Sequence, residues 1–404
     1  MSATMNSMPR QSVIVVGGGI IGAVTAAHLA LSLPSEQLAV TLVDGGPAPQ
    51  PSAEDAPADV RVVALTAASV SLLKQTNIWD RIPAQRRQKY QQMRVWDREG
   101  TGNIHFSAAE ASLDELGWIV ENAALNYAAT QQLAEIGVRC LWNTSVERCF
   151  EDEQGVTVQL ADGQQLHPDL LVAADGANSR IRDQLDIPVA RASYEQRAIV
   201  ATIESEQSHA NTAYQSFLSS GPVALLPLPI QNEKHFESLV WSADNAEAER
   251  LMSLTEEQFS AELAQAMESV CGKLTLASKR YSFPLQRAHA NYYVGAGWVL
   301  LGDAAHTIHP LAGQGANLGF SDALVLAEEL NKALARGVPL SVPLKRYERR
   351  RRGDNQLTAL SMSGFKWLFG NDNPALRVAR NWGLSHVNKP GLLKQWLLSQ
   401  AQGR

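Results

Sequence analysis

The chain has 404 residues, 45% of them hydrophobic and 19% charged, with a formal net charge of −6. That length allows two domains with full cores, and that balance describes a soluble globular protein. The acidic total argues against nucleic-acid binding. Cys140, Cys149 and Cys271 show no paired or metal-type spacing, which points to a reducing cytoplasm and to buried small hydrophobes.

In chain order, the first signal is an apolar β-run, Val13 to Val16, that enters Gly17-Gly18-Gly19-Ile20-Ile21-Gly22. Gly17 permits a tight turn, Gly19 lets the backbone approach a pyrophosphate, and Gly22 lets the next helix pack close to the strand. The free N–H groups and dipole at that helix's N-terminus suit a diphosphate. A second strand, residues 39–43, ends at Asp44, whose carboxylate can accept the ribose hydroxyls of an adenosine. Residues 11–34 carry no charge beyond His28, as a membrane span or a signal peptide after Arg10 also would. Three successive glycines, Pro34 and Asp44 fit strand–turn–helix better. A Pro/Ala-rich stretch, 45–57, reads as a surface loop.

Midway lies Ala174-Asp175-Gly176-Ala177-Asn178-Ser179-Arg180-Ile181-Arg182. Arg182 reads as a surface arginine paired with a carboxylate. Short β-rich runs follow at 198–203, 223–228 and 238–242, suggesting an antiparallel sheet crossed by a helix at 256–270. Val223 to Leu228, Phe217, Trp241 and Phe283 are candidates for a substrate pocket, although core packing is the commoner fate of such residues.

A third motif runs Gly302-Asp303-Ala304-Ala305-His306-Thr307-Ile308-His309-Pro310-Leu311-Ala312-Gly313-Gln314-Gly315-Ala316-Asn317-Leu318-Gly319. The apolar run 298–301 carries Asp303 to a strand end, where ligands sit in open α/β sheets. An acid there can bind the ribityl hydroxyls of a flavin, and Gly313, Gly315 and Gly319 keep the backbone slim beside a flat ring. A helix from about Ala316, with Leu326, Leu330 and Leu334 in register, stops at Gly337 and Pro339. Its N-terminus suits negative charge on a reduced flavin's pyrimidine end. His306 and His309 stand at i, i+3 without the Cys or acid company a metal site needs, so no metal is expected.

From Lys345 onward there are 12 Lys and Arg against 3 Asp and Glu, a net of +9 that leaves −15 on residues 1–344. The run 349–352 is the densest, and Phe365, Trp367, Leu368, Phe369, Trp382, Trp396 and Leu397 are interleaved. This pattern fits peripheral contact with an anionic membrane, a solvated helix face, or a tail anchored to the acidic body.

The three motifs together resemble the group A flavin monooxygenases, with the para-hydroxybenzoate hydroxylase fold. Residues 302–320, the Asp59-Val60-Arg61 segment to Ser69, Arg94 to Asp97 and Val120-Glu121-Asn122 resemble the ubiquinone-biosynthesis hydroxylases of the UbiH/UbiF/UbiI type. The segments 67–73 and 371–384 look closest to the UbiF type. The resemblance implies an α/β protein: a Rossmann-like FAD-binding domain (1–185, with an excursion near 80–110, and 286–344), an antiparallel-sheet substrate domain (186–285) and a basic helical C-terminal region (345–404). It implies FAD held by Gly17, Gly19, Gly22, Asp44, Arg61, Asp175, Gly176 and Asp303. Pro310, Gly313, Gly315, Ala316 and Asn317 would border the isoalloxazine. It further implies O₂ and a polyprenylphenol as substrates, oxygen transfer through a flavin C4a-hydroperoxide, and a cytoplasmic enzyme, peripheral at the membrane's inner face or in a biosynthetic complex. NAD(P)H would be the ordinary reductant, although no second Gly-rich turn is present and other donors stay open. No acid/base residue stands out. Same-fold halogenase, prenyl-reductase and non-catalytic scaffold readings are the alternatives.

Overall fold

A computed structural model describes residues 11–33, 36, 38–53, 56–153, 155–308 and 314–369, excluding the side chains of 359–363 and 365–369. The expectations placed on His309, Pro310, Gly313, residues 371–384 and the aromatic residues of the tail fall outside these.

A five-stranded parallel sheet forms the first layer, in the order Trp298–Leu300, Leu170–Ala173, Gln11–Val16, Leu38–Val43, Arg139–Leu141. Its strands are Val/Leu/Ile-rich because both faces are covered. Helix α1 (Ile20–Ser32) follows the first strand, α2 (Ala67–Gln75) and α3 (Asn122–Glu135) come next, and the short α4 (Arg180–Gln184) ends the second motif. The order of the strands places the ends of Gln11–Val16, Leu170–Ala173 and Trp298–Leu300 side by side. All three motifs leave from that one edge. A small antiparallel sheet, Val62–Leu65, Gly117–Glu121 and Arg87–Tyr90, flanks it.

The second layer is a nine-stranded sheet. Its path runs His306–Thr307, Tyr281–Ala290, Val189–Ser205, His235–Asp244, Gly221–Pro227, Thr212–Leu218, Gln92–Asp97, Asn103–Ser107, with Leu274–Leu276 pairing Val189–Ser205. It is not wholly antiparallel as expected: Thr212–Leu218 pairs Gln92–Asp97 in parallel. No hairpin joins these two strands, so chain connectivity does not impose their direction. Helices α5 (Asn245–Ser253) and α6 (Glu256–Ala266) cover one face, α6 starting on a Thr255/Gln258 capping box. Leu239, Trp241, Val223, Leu225, Ile199, Ala201 and Ile203 point to those helices and form a core of their own. Their neighbours one residue along face the other way.

Helix α7 (Gln314–Leu334) begins two residues earlier than its apolar periodicity suggested and packs against α1. Helix α8 (Ser341–Phe369) lies on α7. Among the described residues no helix is long and apolar enough to cross a membrane.

Candidate flavin and substrate site

The glycines of the first motif have three distinct surroundings. Gly17 adopts φ +110°, and a Cβ there would stand 2.4 Å from the Ala174 carbonyl oxygen. One at Gly22 would stand 1.8 Å from the Gly17 carbonyl oxygen. These two close the turn onto the second motif and onto α1. Gly19, the N-cap of α1, faces open space and carries no side-chain cap, so the helix's first N–H groups remain available. Gly176, at φ +84°, is equally open. Space is thus left at Gly19 and Gly176 and closed at Gly17 and Gly22, a pattern that fits a diphosphate.

Asp44 is oriented by the backbone: Oδ2 accepts from the Gly18 N–H at 2.5 Å and Oδ1 from the Gly46 N–H at 2.7 Å. The acid therefore shapes the glycine turn. Asp175 Oδ2 accepts from the Ile181 N–H at 3.2 Å, while its buried Oδ1 has no partner among the described residues. Such an orphaned acceptor fits a cofactor hydroxyl.

Arg182 pairs with a carboxylate as expected, Asp183 Oδ1 at 3.3 Å, but it is not a surface residue. It is 1% exposed and donates to the Ala304 carbonyl at 3.1 Å and the Ala177 carbonyl at 3.2 Å. Its guanidinium fork fastens the second motif to the third. The DGxxSxxR spacing carried the signal, because the Ser179 cap on the Arg182 N–H starts the turn that points the arginine inward.

Asp303 lies in a recess open to solvent but ringed by protein, which raises its carboxyl above the ordinary range. His306 opposes that shift, Asp322 adds to it, and Arg61 opposes it again. Arg61 is thus near enough for its charge to be felt at Asp303. Arg61 is set from two sides: its N–H donates to Asp59 Oδ1 at 3.0 Å, and its carbonyl accepts from the Asn122 N–H at 2.9 Å. Asp59 in turn takes the Ala123 N–H and gives its own N–H to Glu121, which is paired with buried Arg86. The 59–61 and 120–122 segments, far apart in sequence, form one support.

His306 is a core histidine. Its Nε2 lies 2.6 Å from Asp322 Oδ2, and its ring stacks on Tyr293. Among the described residues no His/Cys/Asp/Glu cluster could hold a metal. Gly315 borders Asp303, Ala316 packs on the main core, and Asn317 fastens α7 to α2. The Asn317 amide accepts from the Thr66 N–H at 3.0 Å and Ser69 Oγ at 2.7 Å, and donates to the Ala64 carbonyl at 2.7 Å. Gly319 makes room for Ile21 rather than for a ring: a Cβ there would lie 2.8 Å from Ile21 Cδ1.

Between the layers is a cavity of ≈ 310 Å³. Arg61, Thr66, Gln314 and Asn317 border it from the flavin side, and Ala224, Leu226, Val240 and Phe283 from the large sheet. Of the expected pocket residues, Ala224, Leu226 and Phe283 line it, whereas Val223, Leu225 and Trp241 face the opposite core. Tyr90, Met93, Gln215 and Ser238 also line it and were not singled out from sequence. Strand alternation could have grouped them, but not told which face meets the cofactor. Burial pushes the Tyr90 phenol up to about 12, so it stays a hydrogen-bond donor at neutral pH.

The basic run is not a free patch. Arg351 is buried with its Nε 2.6 Å from Asp322 Oδ1, and Arg350 Nη1 reaches Glu328 at 2.8 Å and Glu329 at 2.7 Å. For these two arginines the reading as an anchor to the acidic body is the observed one.

The sequence matches the FAD binding domain family over residues 10–358. It is 37% identical to the 3-demethoxyubiquinol 3-hydroxylase of Escherichia coli, over 99% of this chain and 100% of that protein. It is 35% identical to the ubiquinone hydroxylase UbiL of Rhodospirillum rubrum, over 97% and 89%. The fold matches that of p-nitrophenol 4-monooxygenase from Pseudomonas putida with a TM-score of 0.77, 19% identity, and coverage of 98% and 99%.

Proposed function

The chain belongs to the FAD binding domain family and, within it, to the ubiquinone hydroxylases, and on that premise we propose that it hydroxylates the ring of a polyprenylated phenol or benzoquinol in the cavity between its two layers. It is an FAD-dependent monooxygenase of ubiquinone biosynthesis with the para-hydroxybenzoate hydroxylase fold. The observation that carries the substrate reading is that one cavity touches both Arg61 and Asn317 of the cofactor side and the apolar face of the large sheet.

FAD, when bound, would supply the activation of O₂: with two electrons from an external reductant, one oxygen atom of O₂ enters the ring and the other leaves as water. The chain's own residues do the rest. The open N-terminus of α1 and the Gly176 turn receive the diphosphate, Asp44 the adenosine ribose, and Asp175 and Asp303 the hydroxyls between. The apolar wall of Ala224, Leu226 and Val240 excludes water from the reacting ring, and Tyr90, Gln215 and Ser238 offer hydrogen bonds to its oxygens. The cavity is at the small end of ligand pockets, suited to a ring rather than a long isoprenoid chain. Its wall continues outward through Phe283, 45% exposed, with Tyr281, 53% exposed, two residues along the same strand. A chain leaving there meets apolar surface, which supports collection of the substrate at a membrane's inner face.

The test is expression in a hydroxylase-deficient host with mass spectrometry of the accumulated quinones. One added oxygen on the ring is expected, and its position is read in the same spectra. An unchanged precursor pool with FAD fully bound would refute the substrate assignment. Asp303→Ala should weaken FAD binding tenfold or more, from the loss of charge-assisted hydrogen bonds worth about 1.5–3 kcal/mol.

A further inference from the structure

Beneath Asp303 is a buried polar assembly that the chemistry described above does not use. Asp322, on α7, is 0% exposed and divides its two oxygens between two clients. Oδ2 accepts from the Gly302 N–H at 3.0 Å and faces His306 Nε2 at 2.6 Å. Oδ1 accepts from Arg351 Nε at 2.6 Å and from Asn355 Nδ2 at 3.4 Å, both on α8. Arg351 also donates to the Leu318 carbonyl at 3.3 Å and to Asn355 Oδ1 at 2.8 Å.

Gly302 holds φ +55°, a conformation that fixes how the chain turns into Asp303. Its N–H is held by Asp322, and the Ala304 carbonyl on the other side of Asp303 is held by Arg182. The backbone that carries the Asp303 carboxylate is therefore held on both sides by its two neighbours. Burial alone would raise the Asp322 carboxyl, but His306 and Arg351 hold it down to about 2. A permanently charged carboxylate so deep needs a permanent cation, and Arg351 is the one beside it.

We propose that Arg351 is a positioning residue for FAD binding: by neutralising Asp322 it keeps the Gly302 turn in the conformation that presents Asp303 to the cofactor. A residue of the basic C-terminal run thus serves the flavin site from behind. The proposal rests on the role assigned to Asp303, so Asp303→Ala is measured alongside it.

The experiment titrates each apoprotein with FAD by fluorescence quenching, with folding checked by circular dichroism. Arg351→Met should weaken FAD binding tenfold or more. The double variant Arg351→Met with Asp322→Asn should recover most of that loss, because it removes the uncompensated charge while leaving an amide oxygen for the Gly302 N–H. Tyr347→Phe removes a different tie of the same helix, the hydroxyl to the Leu300 carbonyl at 2.9 Å. It should lower thermal stability and leave FAD affinity within twofold. If Arg351→Met does not fold, Arg351→Lys carries the test: lysine cannot hold Asp322, Leu318 and Asn355 at once, and binding should weaken threefold or more. Unchanged affinity in the arginine variant that folds overturns the proposal, as does a loss that Asp322→Asn fails to relieve. Unchanged affinity in Asp303→Ala overturns the cofactor assignment instead.

Discussion

Asp322 beneath the flavin turn and Glu237 behind the substrate-side sheet are both fully buried carboxylates, and their surroundings are opposite. Asp322 is compensated by Arg351 and His306 and sits at about 2. Glu237 shares the inward face of its strand with Leu239 and Trp241, and among the described residues neither oxygen has a hydrogen-bond partner of good geometry. Burial pushes it up to about 7, with the Cys271 thiol and the Ser205 hydroxyl opposing. The comparison shows where the fold invests in order. The cofactor layer neutralises buried charge to hold backbone turns in place, whereas the substrate layer keeps a carboxyl that gives up its charge as the pH falls.

The comparison breaks most sharply at Asp322. Asp322→Ala leaves Arg351 buried without its main partner and should destabilise the protein by about 3–5 kcal/mol in urea titration. Because the folded form holds this proton less tightly than the unfolded chain, the wild-type contribution is complete above the ordinary aspartate value and lost as pH falls through about 2.

Glu237→Gln should act in the other direction. The folded protein holds this proton more tightly than the unfolded chain, so the cost is absent below the ordinary glutamate value and grows until about pH 7. The variant should therefore be more stable by about 3 kcal/mol at pH 8 and gain nothing at pH 4, read from urea midpoints across pH. An equal gain at both values would mean that packing, not charge, sets the effect.

Arg182→Met is expected to fall between stability and binding. It strands the Ala304 and Ala177 carbonyls, each at about 1–3 kcal/mol, and should weaken FAD binding more than it shifts the unfolding midpoint. The smallest effect belongs to Arg349→Glu. Arg349 is exposed, and its reversal should change stability by no more than about 0.5 kcal/mol. Loss of binding to anionic vesicles in that variant, sensitive to salt, would separate a membrane role from the anchoring seen at Arg350 and Arg351.

Much of the cofactor side was legible in the sequence because its motifs are local. Gly17, Gly19 and Gly22 lie within one strand–turn–helix, and the apolar run before Asp303 marks a strand end. Arg182, by contrast, looked like a surface arginine because, apart from Asp183 beside it, the partners that hold it inside are the carbonyls of Ala177 and Ala304, which have no side-chain signature. The pocket was half legible: period-2 alternation groups Ala224 with Leu226 and Val223 with Leu225, yet the face that meets the flavin follows from how the two layers stack.

By itself the sequence determined the cofactor, the family and the run of elements, since these depend on short-range spacing of glycine, acid and apolar residues. Tertiary structure alone decided that Asp322, His306 and Arg351 form one assembly and that Glu237 is buried beside the Cys271 thiol and the Ser205 hydroxyl. The charge state of a buried group depends on what three-dimensional packing brings within a few ångströms, and in water the same side chains would be indistinguishable.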